Sequence, residues 1–300
     1  MKIFFKNIIL PVLSLFFIVG CSTKKPITYN SKIKATKSLP KLKLHYLEQG
    51  SGKPLVMLHG FGSSSATFKK IIPHLSKRFH IYAPDLKGFG KSPKPNDDDY
   101  SVYDQYLVIK NFLKEHHIKN PILLGHSLGG SIALILAMDK EIGAKKLILL
   151  DTPAYKQRLP RLLRYVNIPL FGKIGFYLLP SHYEVLEGYR YAFYDDSKIS
   201  KDIVKELSKD LQSKGAKRAF VKTNQELVPD DIDDLTKRYK DINIPTLIVW
   251  GWNDEVVLKE KAYRLNKNIP HSRLHFIHEC GHIPQEEKPK ELLKILDQFL

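Results

Sequence analysis

Hydrophobic positions follow two rhythms along this chain, and the contrast between them predicts its elements. Continuous apolar runs at 54–58, 122–124, 146–150 and 244–251 suit strands buried on both faces of a sheet. Residues 42–47 alternate like a half-exposed strand, while 80–83 and 274–277 read as shorter strands. Helical patterns fall between them at 66–77, 102–117 and 132–137, and an amphipathic helix closes the chain at 289–300. Strands that alternate with helices predict an α/β fold: a mostly parallel sheet flanked by helices, with ligands beyond the carboxyl ends of its strands. From 152 to 241 the rhythm breaks. Aromatic, basic and apolar residues mix there without a strand-like run, which predicts a helical cap (152–241) inserted into a core of 42–151 and 242–300. Apolar tracts of the cap, such as Ile168-Pro169-Leu170-Phe171, belong to helix packing or to the lining of an apolar acyl site beneath it.

The first forty residues have another character. Lys2 and Lys6 precede an apolar run at 8–19, too short to span a bilayer and of the right length for a secretory signal. It ends in Ile18-Val19-Gly20-Cys21, which resembles a bacterial lipoprotein cleavage box whose cysteine is lipidated. That resemblance implies a signal peptide over 1–20, a lipid on Cys21 and residence in the bacterial cell envelope. Ser22 after the cysteine favours the outer membrane. An uncleaved amino-terminal anchor is the alternative. Residues 21–41 then form a tether, since 22–43 carry seven lysines, no acid and no apolar period.

Charge says less about the folded body than its total suggests. The chain is formally +17, and loss of 1–20 removes Lys2, Lys6 and no acid, leaving +15, of which seven charges are the lysines of 22–43. Export makes nucleic acid an improbable partner. There are two cysteines, Cys21 and Cys280, so with Cys21 on lipid the fold cannot depend on a disulfide. No zinc-like Cys/His spacing, dinucleotide fingerprint, Walker sequence or internal repeat occurs, so neither metal nor cofactor is expected.

The chemistry concentrates where strands end. Ile122-Leu123-Leu124 runs into Gly125-His126-Ser127-Leu128-Gly129, the pattern of a nucleophile elbow, in which small residues flank a serine lifted from the sheet. The following helix points its amino end at Ser127, where unpaired N–H groups favour negative charge. Asp254 follows the strand ending in Trp250-Gly251, and His282 follows the last strand. A serine needs an imidazole to take its proton and a carboxylate to hold that ring in the right tautomer. The order Ser127, Asp254, His282 is the order that accompanies this elbow.

With these motifs in view, the chain from about residue 42 resembles an α/β-hydrolase with a helical cap. His59-Gly60-Phe61-Gly62 matches that family's oxyanion loop, and 85–92 the next strand-end loop. The resemblance implies acyl transfer through Ser127, with oxyanion donors from the backbone of Leu128 and of Phe61, the latter in the loop after the family's third strand. Asp151 is a minority alternative for the acid; His59 and Asp85 are typical of the family and read as structural; Cys280 reads as buried packing. The chain is most similar to the group that includes meta-cleavage-product hydrolases, small carboxylesterases and monoacylglycerol lipases. A serine at the elbow argues against the dehalogenase and epoxide hydrolase branches. An esterase or lipase acting on a small-molecule ester or lipid is the favoured expectation. A carbon-carbon bond hydrolase or perhydrolase with the same triad is the second, and a non-catalytic binding protein on the scaffold the third.

Overall fold

Short apolar strands can bury both faces only inside a helical sandwich, and that is how this chain folds. The computed structural model describes residues 39–97, 99–168 and 171–300. The expected signal peptide, Cys21 and nearly all of the tether lie outside them. Seven strands form one sheet among the described residues, in the order β1-β3-β2-β4-β5-β6-β7. They are β1 (Tyr46–Gln49), β2 (Lys53–Leu58), β3 (Phe79–Pro84), β4 (Ile122–His126), β5 (Lys146–Leu150), β6 (Thr246–Gly251) and β7 (Ser272–Ile277). β1 runs antiparallel to β3, and every other pairing is parallel.

Alternate residues of each strand feed two apolar layers. Val56, Leu58, Leu123, Leu147, Leu149 and Trp250 pack with helices α2 (Val102–Glu115) and α3 (Leu128–Met138) on one side. Leu55, Met57, Leu124, Ile148 and Val249 pack on the other with Phe68, Ile71 and Leu75 and with Leu292 and Leu296 of the closing helix.

Several elements differ from expectation for local reasons. The first strand pairs over 46–49 rather than 42–47, because its partner β3 ends at Pro84, opposite Tyr46, and offers residues 42–44 no strand to pair with. The helix expected over 66–77 is a 3-10 turn (Ser65–Phe68) followed by the short α1 (Ile72–Leu75). Pro73 has no N–H to continue a ladder and stands in the first turn of the restarted helix. The strand that the family counts as third is second in chain order here.

Between β5 and β6 the described residues form helices and no strand: α4 (Arg161–Val166), α5 (Phe171–Leu178), α6 (Ser181–Ala192), α7 (Lys201–Gln212), α8 (Ala216–Gln225) and α9 (Ile232–Lys237). Val185, Tyr189 and Phe193 pack on Ile203, Val204 and Leu207, and this cluster reaches Ala66 and Ile283 of the core. Three helices follow β6. They are α10 (Glu260–Asn268), α11 (Pro284–Glu287) and α12 (Pro289–Phe299), of which sequence patterning anticipates the last alone. No helix among the described residues is long and apolar enough to cross a membrane.

Candidate active site

β4 ends at His126, and the next residue is forced into an unusual conformation. Ser127 has φ 49° and ψ −123°, held by its N–H on the Leu150 carbonyl at 2.9 Å. The turn is possible only with small neighbours: a Cβ on Gly125 would strike the Gly129 carbonyl, and one on Gly129 the Leu58 carbonyl. Ser127 is thereby raised at the carboxyl edge of the sheet while α3 begins at Leu128.

Asp254 and His282 meet it from β6 and β7. His282 Nδ1 lies 2.8 Å from Asp254 Oδ2, and its Nε2 lies 2.9 Å from Ser127 Oγ. A carboxylate accepts, so Nδ1 carries the proton and Nε2 is left to accept from the serine hydroxyl. The other oxygen of Asp254 accepts the N–H groups of Val256 at 2.7 Å and Val257 at 3.0 Å, which fixes the carboxylate plane. All three residues are buried. The structure thus brings the three sequence-expected residues into one hydrogen-bonded chain.

Asp151 stands beside them without joining the ring. Its Oδ1 accepts the Gly251 N–H at 2.8 Å, and its Oδ2 has no hydrogen-bond partner. Complete burial, and next the nearby charge of Asp254, push its carboxyl well above the usual range, so Asp151 keeps its proton. Asp151, Asp254 and His282 offer oxygen and nitrogen atoms within 4.8 Å of one another. Both imidazole nitrogens are already engaged and one acid is protonated, so this donor set suits proton handling better than a cation.

The residues expected to supply the oxyanion donors flank the same serine, Leu128 next to it in the chain and Phe61 next to Gly60. Leu128 is the first residue of α3, whose N–H has no acceptor within the helix. Gly60 lies so close that a Cβ on it would come 3.1 Å from Ser127 Cβ. His59 Nδ1 donates to the Gly60 carbonyl at 2.8 Å while its Nε2 accepts from Leu86 N–H at 2.9 Å. Burial lowers the His59 pKa, consistent with that neutral tautomer. The Gly60 carbonyl and the Phe61 N–H belong to one planar trans peptide, so fixing the first fixes the second in the opposite direction. Asp85 accepts the Ser65 N–H at 2.7 Å and the Lys91 N–H at 2.9 Å, tying together the two loops. Cys280 is buried, its thiol pushed up chiefly by burial, and it packs in the sheet core.

Three supporting residues were missed by sequence reasoning. His126, neutral because burial lowers its pKa far below normal, donates from Nε2 to the His282 carbonyl at 2.7 Å. Glu287 accepts the N–H of Gly281 at 2.7 Å on one oxygen, and those of Tyr194 at 3.0 Å and Asp195 at 2.8 Å on the other. The histidine loop is so bound to the end of α6, and the His282 N–H on the Ala192 carbonyl at 2.6 Å repeats the tie. Glu286 takes hydroxyls from Thr67 at 2.5 Å and Tyr189 at 3.0 Å. A pair of acids soon after His282 was the visible signal, but nothing local told their partners.

Ser127 and His282 open onto a cavity of about 650 Å³ lined largely by apolar side chains, among them Phe61, Leu128, Leu163, Val166, Phe176 and Leu227. Lys94 is the sole cation among the described lining residues, and it donates to the carbonyls of Gly90 at 2.6 Å and Ser92 at 3.0 Å. Glu184, Glu187 and Asp210 are the acids.

This sheet order, strained serine and hydrogen-bonded chain are those of a hydrolase, and the chain belongs to the alpha/beta hydrolase fold family, which it matches over residues 53–289. It is similar to Lipase 1 of Psychrobacter immobilis, 28% identical over 82% of this chain and 76% of that one. It is also similar to a 2-hydroxy-6-oxo-2,4-heptadienoate hydrolase of Pseudomonas putida, 26% identical over 84% of this chain and 90% of the relative. An alpha/beta hydrolase fold protein from Burkholderia ambifaria superposes with a TM-score of 0.77, at 26% identity over 85% of this chain and 94% of the other. Hydrolase membership is therefore established, and the relatives include both a lipase and a hydrolase named for a dienoate.

Proposed function

We propose that this hydrolase cleaves carboxylic esters of apolar acyl groups through an acyl-enzyme on Ser127. The observation that carries the reading is the Ser127–His282–Asp254 chain, at 2.9 and 2.8 Å, opening onto a predominantly apolar cavity. Ser127 Oγ attacks the ester carbonyl carbon while His282 Nε2 takes its proton and Asp254 steadies the charged ring. Negative charge on the carbonyl oxygen falls to the N–H groups of Leu128 and Phe61. Collapse of that intermediate breaks the ester bond, and His282 returns the proton to the leaving alcohol. Water then enters by the same route in reverse, releasing the acid and restoring Ser127.

Charge favours an ester over the dienoate substrate named for one relative. A dienoate carries a carboxylate into the site, and the described lining has three acids and one cation already committed to backbone carbonyls. Glu184 pairs with Lys217 and Glu187 with Arg190, so what the described lining lacks is a free counter-ion for an entering carboxylate, whereas a neutral acyl chain needs none and gains by burial. The same reading keeps the body tethered in a bacterial envelope through lipid on Cys21, which rests on the amino-terminal sequence.

A panel of p-nitrophenyl esters of increasing acyl length tests the proposal. Specificity constants should rise about three- to fourfold per added methylene, following about 0.8 kcal/mol each, until the cavity is full. A fluorophosphonate should label the wild type and leave Ser127→Ala unlabelled. Labelling that survives the substitution, or a flat profile with no ester turned over, overturns the reading.

A further inference from the structure

We infer that the face of the cap built by α5 and the turn into α6 docks on a bilayer containing anionic phospholipid, with the cavity mouth toward the lipid. Ile174, Tyr177 and Leu178 lie at i, i+3 and i+4 of α5 and share one face of it. All three are exposed, Leu178 to 78%, and Leu179 and Tyr183 extend the apolar surface beyond the helix end. Contiguous large apolar exposure of this kind marks an interaction surface.

The helix is built to present that face. Phe176 points the other way and stacks on Phe220 at 4.8 Å. Lys217 Nζ donates from beneath to the carbonyls of Phe176 and Leu179, both at 2.8 Å, and pairs with Glu184 at 3.1 Å. The polar groups at the carboxyl end of α5 are thus satisfied inward, and the outward side is left apolar. Exposed tyrosines beside aliphatic residues suit the headgroup level of a membrane, where a ring meets lipid and its hydroxyl meets water.

Charge selects the occupant. A depression beside this face is lined by Tyr177, Leu179 and Pro180 together with the exposed Lys214 and the half-buried Arg218, while Lys94 and Lys217 line it with their ammonium groups turned inward, and no acid is among its described lining residues. An apolar strip bordered by cations is the pattern of an interfacial helix on anionic headgroups. Ile168, Gly175, Leu179 and Tyr183 also line the catalytic cavity, so docking would join that cavity to the lipid phase without a water gap. The chain before Leu39 fits the same partner. Residues 21–38 can extend about 60 Å, enough to let the body turn its cap toward a membrane that holds its amino end.

The full chain carrying Cys21→Ser and a single exposed cysteine, bearing an environment-sensitive fluorophore, tests the inference. Cys280 is buried and does not compete for label. Leu178→Cys reports from the cap and Lys140→Cys from the exposed turn just past the carboxyl end of α3, at the far end from Ser127. With vesicles of one-third phosphatidylglycerol carrying a lipid-borne nitroxide, the label at 178 should lose more than half its emission and the label at 140 almost none. High salt should reverse much of that loss, and Ile174→Asp with Tyr177→Asp should abolish it. Equal quenching at the two sites, or none at 178, overturns the proposal. So does a change at 178 that follows protein concentration without vesicles, because the occupant would then be a second copy. None of these readings uses ester turnover, so a failure of the proposed reaction leaves this test standing.

Discussion

At the scale of single residues, the site depends on two neighbouring carboxyl groups that are held in different ways. Asp254 meets the imidazole at 2.8 Å and accepts two further backbone N–H groups, whereas Asp151 is buried, protonated and bonded to Gly251 N–H. This assigns the orienting role to Asp254 and leaves Asp151 as a neutral neighbour that adds no second negative charge. Asp254→Asn should lower kcat on the order of 10⁴, because the amide favours the wrong tautomer of His282. Asp151→Asn should stay within severalfold of wild type, since its amide oxygen can still accept from Gly251 and its NH₂ replaces the acid O–H. Steady-state rates on one p-nitrophenyl ester check both, and a crippling Asp151→Asn beside a silent Asp254→Asn would exchange the roles. The triad was legible in the sequence because each member follows a strand beside glycines, a local signal. His126 was not, since its bond to the His282 carbonyl spans 156 residues and leaves no periodic trace.

At the scale of elements, the short helix α11 joins the histidine loop to the cap and was invisible to hydrophobic periodicity. It is four residues long, and its contribution lies in two acids whose partners come from elsewhere. α10 escaped for a related reason: Ala262 and Leu265 are its only buried residues, and a charged surface hides so faint a period. Glu286 on α11 gives this joint a pH dependence. Burial, partly offset by the hydroxyls of Thr67 and Tyr189, raises its pKa to about 7 from an ordinary 4.5. Below about 4.5 the group is protonated in folded and unfolded chains alike. Between about 4.5 and about 7 the folded chain holds a proton that the unfolded chain releases, so stability falls as pH rises, and the loss levels off above. The total is about 2–4 kcal/mol. Thermal melting followed across this window should show Tm declining in the wild type, and Glu286→Gln, which cannot ionise, should flatten the decline. A variant that melts with the wild-type pH profile would remove Glu286 as its source.

For the whole molecule, location and chemistry have separate causes. The sheet, its two layers and the catalytic chain are set by residues 39–300, and their alternation of apolar runs and helices made the fold readable before any coordinates. The proposed location rests on the amino-terminal run and on the charge that follows it, and the two would act together. A cap face that binds a bilayer weakly needs little intrinsic affinity if a short tether holds it at an effective concentration of order millimolar. Lipid on Cys21 would supply that tether's end, provided several chains are attached, because one acyl chain binds only marginally. The wild type expressed in bacteria should therefore mature to a shorter, membrane-bound form that incorporates labelled palmitate. Cys21→Ser should remain an unlabelled precursor of full length, since the residue proposed to accept the lipid and to mark the cleavage point is gone. If both forms run at full length, both fractionate with the membrane and neither takes up palmitate, then the run at 8–19 is an uncleaved anchor. Cys21 would then have no part in holding the enzyme at a membrane.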